Sequence, residues 1–325
     1  MRIREAARRR MLWTGLAVVG LGAGVWLMKS HRAPPMESAE EYAPAESCRA
    51  CHAKIYGTYQ RVGMARSFYV PTPEVIGADL SGSRFYHKES SRYYEMFWRA
   101  GKLYQHRHQI DRNGQVINEL EQQVHFVIGS GNHARTFLHR SDNGEITELP
   151  LSWYALEGKW GMSPGYDKPR HFDFTRQIDH GCMFCHNSYP NIEPDADWYG
   201  KVTSFPADLP QGIGCQRCHG PAGRHAALAA TGRASPEAVR STVVNPKRLA
   251  PELQMDVCMQ CHLETTSAPL PASTRRFGRS VYSYRPGQPL GDYMIYFDHA
   301  PGTGYEDKFE RSSVPHTDFG SRCVS

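Results

Sequence analysis

The stretch Cys215-Gln-Arg-Cys218-His219 decides how this chain is built, because its spacing occurs three more times. Each copy places two cysteines three residues apart and a histidine directly after the second. The other copies are Cys48-Arg-Ala-Cys51-His52, Cys182-Met-Phe-Cys185-His186 and Cys258-Met-Gln-Cys261-His262. Together the four use eight of the nine cysteines in 325 residues, so this pattern governs the cysteine chemistry of the chain.

This spacing is typical of covalent haem c attachment. Two thiols three residues apart lie on one side of a helical turn, where they form thioethers to the two vinyl groups of one haem. The histidine that follows then ligates the iron. We therefore expect four covalently bound haems c. The attachment residues are Cys48, Cys51, Cys182, Cys185, Cys215, Cys218, Cys258 and Cys261, and the proximal iron ligands are His52, His186, His219 and His262.

Zinc sites and disulfides are the alternative interpretations of these cysteines. Cys-x-x-Cys pairs bind zinc, but a zinc site does not require a histidine after every second cysteine. Disulfides are common outside the cytoplasm. A bridge across two residues is strained, however, and is typical of redox catalysts rather than of structural links. The four histidines favour haem over both alternatives.

The sixth coordination position of each iron calls for a second ligand. His225 follows His219 after a tight Gly-Pro turn and can fold back over a neighbouring haem. A thioether ligand at Met64 would raise the potential of its haem, whereas a methionine that only packs is the alternative. For the loop histidines, the alternative is a hydrogen bond to backbone or to a haem propionate. The candidate distal ligands are His225, His180, Met64, His133 and His299.

Residues 80–160 differ in character from the rest of the chain. Segments 92–98, 102–110, 124–128 and 135–139 are rich in β-branched and aromatic residues, and Asn-Gly pairs at 113–114 and 143–144 separate some of them. Asn-Gly between such runs is a strong hairpin signal. We expect an antiparallel β-meander here. Within it, His106 and His108 alternate with Gln105 and Arg107, which indicates a solvated sheet face.

The N-terminal residues predict export. Met11–Met28 is an uncharged, mostly apolar run of 18 residues, which is at the lower limit for a membrane-spanning helix. Five arginines precede it, so the N-terminus is expected in the cytoplasm and the remaining chain outside. A cleaved signal peptide is the alternative. We favour a signal anchor in the bacterial inner membrane, with the haem region periplasmic. The formal charge of +5 is concentrated in these residues, and no basic patch indicates nucleic-acid binding.

The predicted fold class is a mixed, loop-rich multihaem cytochrome c, with short helices around covalent haems, an inserted antiparallel β-meander and an N-terminal transmembrane helix. The predicted organisation is an anchor at 1–28, a linker at 29–45, a first haem-binding helical segment at 46–79, a β-rich insert at 80–160, a region with three haem motifs at 161–265 and a Pro/Gly-rich C-terminal segment at 266–325.

Several further strings carry a family resemblance: GSGNHARTFLHR (129–140), ELPLSWY (148–154), MSPGYD (162–167), LPQGIGCQRCHGPAGRH (209–225) and SYRPGQPLGDY (283–293). With them, the chain resembles the multihaem cytochromes c related to the tetrahaem electron carrier of ammonia oxidisers, and more closely bacterial multihaem cytochromes that often carry C-terminal tetratricopeptide repeats. The resemblance implies that His225 is a distal ligand. It also implies that the C-terminus is shortened, which leaves Cys323 as the odd cysteine. The chain departs from the related carriers at Met64, where they have a histidine.

Two functions follow from these observations. The first is a periplasmic tetrahaem cytochrome that transfers electrons between other redox proteins or a membrane quinol-linked complex, with no catalytic residue of its own. The second is a multihaem oxidoreductase in which one haem with an open sixth position acts on a small nitrogen or sulfur oxyanion.

Overall fold

The strands of this chain pair into two antiparallel sheets and a short C-terminal ribbon. The computed structural model describes residues 42–77, 79–188, 203–262 and 273–296. In chain order the strands are β1 (Phe68–Tyr69), β2 (Phe85–His87), β3 (Arg92–Arg99), β4 (Lys102–Ile110), β5 (Val116–Val124), β6 (Phe126–Ile128), β7 (Ala134–Arg140), β8 (Ile146–Tyr154), β9 (Lys159–Met162), β10 (Ser273–Arg275) and β11 (Met294–Tyr296).

The helices are short and lie mostly after the strands. They are α1 (Ser47–Tyr59), α2 (Pro73–Ile76), α3 (His180–His186), α4 (Gln216–His219), α5 (Gly223–Ala230), α6 (Pro236–Arg240) and α7 (Pro251–His262). Single turns of 3₁₀-helix also occur at Met64–Arg66, Ser81–Ser83, Pro246–Arg248 and Leu290–Asp292.

The first sheet has the strand order β2-β3-β4-β5, and the second has the order β1-β6-β7-β8-β9. Both Asn-Gly pairs form tight turns, the first between β4 and β5 and the second between β7 and β8. Gly114 and Gly144 adopt positive φ angles of 79° and 85°, which a glycine accepts without steric cost. The strand β1 lies far ahead of β6 in the chain and closes the edge of the second sheet by pairing Phe68 with Ile128.

The two sheets enclose the main core. Tyr94 and Leu103 of the first sheet and Phe137 and Leu151 of the second are fully buried in one cluster. The amide of Gln105 joins the sheets inside this cluster: its Nε2 donates to the carbonyl oxygen of Leu151 at 3.2 Å, and its Oε1 accepts from the Leu151 N–H at 3.0 Å. A buried polar side chain is stable here because both ends of its amide are satisfied.

The opposite face of the second sheet supports the segment that carries the second cysteine motif. Phe68 and Leu138 on the sheet pack against Met183 of α3 and against Phe205. The second sheet is therefore a middle layer, covered by the first sheet on one side and by α3 on the other. The C-terminal residues pack on α3 in turn, with Val281 and Tyr282 against Phe184.

The predicted fold class is wrong. The described residues form a mixed α/β protein built on antiparallel sheets with few short helices, whereas the prediction made short helices the framework and the strands a single inserted meander. The physical reason is that β8 buries side chains on both faces, and a strand of that kind needs a layer on each side. In the part of the chain that the structure describes, no helix has the length and apolar character needed to cross a membrane. The predicted transmembrane helix at 1–28 lies outside the described residues.

Candidate haem-attachment sites

All four Cys-x-x-Cys-His motifs lie on helical turns. The first is in α1, the second in α3, the third begins at the residue before α4, and the fourth ends α7. The side chain of Asp179 caps α3 by accepting from the backbone N–H of Cys182 at 2.9 Å. The two cysteines of each motif are therefore separated by about one turn of helix, which is the spacing that covalent attachment to one macrocycle uses.

The motifs meet in two pairs that the sequence does not reveal. The thiol of Cys48 in the first motif is hydrogen-bonded with that of Cys215 in the third, and the pKa of Cys48 is raised by burial and by this neighbour. Cys185 of the second motif is hydrogen-bonded with Cys261 of the fourth. This hydrogen bond lowers the pKa of Cys261 to about 7, and nearby Arg217 contributes to the effect. Motifs far apart in the chain are thus adjacent in space.

A cavity of about 740 Å³ lies between the second motif, the fourth motif and the second sheet. Ligand pockets in proteins span about 300 to 1,000 Å³, so this volume is large enough for a sizeable ligand. Cys182, Cys185, His186 and Cys261 line it together with apolar side chains of the sheet. Arg176 and Glu148 also line it and are paired at 2.7 Å. The lining also includes Arg275, so two arginines accompany the thiols, the imidazole and the apolar side chains, which is a set of groups that suits a haem with two propionates.

The imidazoles of His52 and His225 form the most specific arrangement at these sites. Their ring centroids are 6.3 Å apart and their planes differ by 19°. Two imidazoles on opposite sides of one metal, with metal–nitrogen bonds of about 2 Å, place their centroids about 6 Å apart. His52 also departs from helical geometry inside α1, with φ −119° and ψ 38°. In the separation of their rings, His52 and His225 therefore fit an iron held between them, and these two residues would hold it.

Hydrogen bonds orient two of the motif-region histidines. Nδ1 of His225 lies 3.0 Å from the carbonyl oxygen of Val239 and 3.1 Å from the hydroxyl of Thr242. Nδ1 of His219 lies 2.7 Å from the carbonyl oxygen of Val244. When Nδ1–H donates to a carbonyl, Nε2 carries the lone pair that binds a metal, and such partners commonly fix the orientation of ligating histidines.

His186 and His262 lie in a less polar environment. Burial lowers the pKa of both, and the neighbouring charge of His262 lowers that of His186 further. A lowered pKa keeps an imidazole neutral near pH 7, which is the form that ligates a metal.

The other candidate distal ligands have different positions. His180 is buried at the start of α3, with its ring edge-on to Phe205 at 4.9 Å and to Tyr282 at 6.5 Å. His133 is exposed in the loop before β7, and the side chain of Met64 is 42% exposed. Their ligation stays a prediction, and His299 lies outside the described residues.

The structure gives no support to the two alternatives for the cysteines. None of the eight motif cysteines is in a disulfide. Among the described residues, the groups of three or more converging metal-ligand side chains contain no cysteine. A four-cysteine zinc centre would require such convergence, because all its ligands lie about 2.3 Å from one ion.

Arg217 is a residue of these sites that the sequence did not indicate. Its side chain is 2% exposed and stacks over Phe184 at 3.9 Å, and Nη2 donates to the carbonyl oxygen of Phe184 at 2.7 Å. It lies between the two cysteines of the third motif and also reaches Cys261 of the fourth. An arginine between motif cysteines looks solvent-exposed in a sequence, so only the packing reveals that it connects three motifs.

Comparison with known protein families, with curated proteins and with solved structures finds no match.

Proposed function

We propose that this chain is a tetrahaem c-type cytochrome that transfers electrons between redox partners. The observation that carries the proposal is the parallel pair of His52 and His225, whose separation of 6.3 Å suits an iron with two imidazole ligands. The four Cys-x-x-Cys-His motifs support it from the sequence.

A bound haem supplies a reversible one-electron couple at its iron. The residues of the chain hold and tune that couple. The motif cysteines fix the position of each macrocycle, and the carbonyl oxygens of Val239 and Val244 orient His225 and His219. Apolar side chains of the second sheet and of α3 line the cavity beside Cys182 and Cys185 and would contact the macrocycle.

The pairing of motifs places the proposed haems next to one another. The hydrogen bonds between Cys48 and Cys215 and between Cys185 and Cys261 bring attachment points of different haems together. Arg217 links the two pairs, because it belongs to the third motif and contacts Phe184 and Cys261 of the other pair. The proposed haems thus form one contiguous group, as transfer through the protein requires.

The proposed setting is the periplasmic side of the bacterial inner membrane. The arginines before residue 11 and the apolar run that follows support export. The proposed partners are other redox proteins or a membrane quinol-linked complex. Nucleic acid is not among them.

The deciding experiment is an intact mass of the purified full chain, measured together with its ferric and reduced visible spectra. We expect the mass of the processed polypeptide plus four haems, and low-spin spectra that change fully on reduction. A colourless protein, or one whose mass is that of its amino acids alone, would refute the proposal. A ferric protein that binds cyanide at one haem before any mutation would instead favour the oxidoreductase.

A further inference from the structure

We infer that the outer face of the first sheet holds a second kind of metal site, for a divalent cation of borderline softness such as Zn²⁺. Its ligands are His106 and His108 of β4 and Glu95 of β3. This site is independent of the cysteine motifs, and it goes beyond the proposed function.

The three side chains converge because of strand register. Glu95 and His106 are direct cross-strand partners in the pairing of β3 with β4, and His108 lies two residues further along the same face. Their ligand atoms all lie within 4.8 Å of one another. Ligands on a tetrahedral zinc are separated by about 3.3 Å, given bonds of about 2.0 to 2.2 Å, so small side-chain rotations close the site.

His106 has a carboxylate on each side of its ring. Oε1 of Glu95 lies 2.8 Å from Nδ1, and Oε1 of Glu119 on β5 lies 3.3 Å from Nε2. Two carboxylates around one imidazole concentrate negative charge where a cation would be bound. Surface ion pairs have distances of this kind as well, so the case for a metal depends on the third ligand, His108.

An ion pair does not explain the buried position of His108. Its residue is 6% exposed, and its buried Nδ1 has no hydrogen-bond partner. The ring is fixed between Tyr93, at 5.2 Å and nearly parallel, and His106, at 4.9 Å. A buried imidazole with an unsatisfied nitrogen is unfavourable unless it gains a partner, and a metal ion provides one.

The ligand types select the class of metal. Two imidazoles with one carboxylate suit zinc, copper and nickel, whereas magnesium and calcium prefer oxygen ligands alone. The other convergent group in the described residues, His87 with Glu89 and Asp167, offers one imidazole, and both carboxylates meet its Nε2 at 3.2 Å. The group on β3 and β4 is therefore the better site for a borderline cation.

A metal at this position would connect two strands of the first sheet. Glu95 comes from β3 and both histidines from β4, so binding would stabilise the sheet without any change at the cysteine motifs. The expected consequence is a higher melting temperature of the folded chain in the presence of the ion.

The test uses the full-length, haem-loaded protein without a polyhistidine tag. After treatment with EDTA, which leaves covalent haem in place, the protein is dialysed against micromolar Zn²⁺, and zinc and iron are counted per chain by mass spectrometry of the elements. We expect one zinc per chain beside the haem iron. Glu95→Gln and His108→Gln should each weaken zinc binding at least tenfold, and both should abolish the zinc-dependent rise in melting temperature.

Glu121→Gln is the matched control, because Glu121 is opposite His106 in the register of β4 and β5 but is paired with Arg99. It should bind zinc as the unmodified chain does. Equal zinc binding by Glu95→Gln and Glu121→Gln would overturn the inference. Loss of zinc in Glu89→Gln would also overturn it, because Glu89 belongs to the group of His87 and Asp167. Absence of zinc from a chain with four haems would also overturn it, and zinc bound to a chain without haem would refute only the proposed function.

Discussion

The imidazole of His225 lies parallel to that of His52, with 6.3 Å between their centroids, although one follows the third cysteine motif and the other ends the first. Each ring belongs to a different helix, α5 and α1. The helix α1 contains no buried residue, and Ile55 on it is 66% exposed. A helix with so little packing is held in place by few apolar contacts, so a group bound between these two histidines would contribute to its position.

Replacing His225 with alanine should open the sixth position of one haem. We expect one of four haems to change from low spin to high spin in the ferric protein and to bind cyanide, because the substitution removes the imidazole that we assign to the sixth position of that iron. Visible and electron paramagnetic resonance spectra measure both effects. His139→Ala is the control, since Nδ1 of His139 bonds to the Gln123 carbonyl within the sheets, far along the chain from the motifs. Four low-spin haems in His225→Ala would contradict the assignment.

Gln105 should be one of the most sensitive polar positions in the core. Gln105→Ala removes both hydrogen bonds to the Leu151 backbone and leaves a buried N–H and carbonyl without partners. Each such loss costs about 1 to 3 kcal/mol, so we expect a decrease of roughly 2 to 5 kcal/mol in the free energy of unfolding. Urea denaturation measures this change. Gln115→Ala, at an exposed turn position, should change stability by less than about 0.5 kcal/mol.

The local signals in the sequence predicted much of this structure. The Asn-Gly pairs mark real turns, and the residues at 92–98 and 102–110 lie in β3 and β4. The placement of the motifs on helical turns also follows from their spacing. These features depend on neighbouring residues only.

Long-range packing could not be read from the sequence. The pairing of β1 with β6, and of Cys48 with Cys215, joins segments whose own residues carry no signal for the partner. His108 shows the same limit on a smaller scale. Alternation indicated a solvated position, but the ring is buried because Tyr93 and His106 stack on it.

The stability of the fold should decrease as the pH rises from about 4.5 to about 7. Burial raises the pKa of Glu148 from its ordinary value of 4.5 to about 7, and Arg176 only partly opposes this effect. The folded chain therefore keeps a proton that the unfolded chain has already lost in this interval. The contribution of Glu148 to the free energy of unfolding is therefore fully present below pH 4.5 and is lost as the pH rises past 7. Its size is on the order of 3 kcal/mol.

Urea midpoints at pH 5 and pH 8 test this effect of Glu148. Glu148→Gln should give a smaller difference between the two pH values, because glutamine does not titrate. Glu157→Gln, an exposed carboxylate paired with Lys159, should keep the full difference. An unchanged pH dependence in Glu148→Gln would show that other groups cause it.

A side chain at Gly212 should destabilise the fold, because the loop before the third motif contacts the segment after the first motif at this residue. Its N–H donates to the Phe68 carbonyl at 2.7 Å, and Ile213 donates to the Met64 carbonyl at 2.9 Å. At φ +58° a Cβ would overlap the carbonyl oxygen and carbon of Ala65, which are backbone atoms and cannot rotate away. We therefore expect Gly212→Ala to lower the melting temperature by several degrees and to reduce the number of haems attached per chain.

Gly232→Ala is the control that distinguishes the effect of this overlap from the effect of backbone strain. Gly232 has a similar φ of +62°, but no atom lies within 4 Å of its Cβ position. That control should cost only about 1 kcal/mol, the ordinary penalty for alanine in the left-handed region. Equal effects of the two substitutions would mean that the close approach to Ala65 does not matter for the attachment sites.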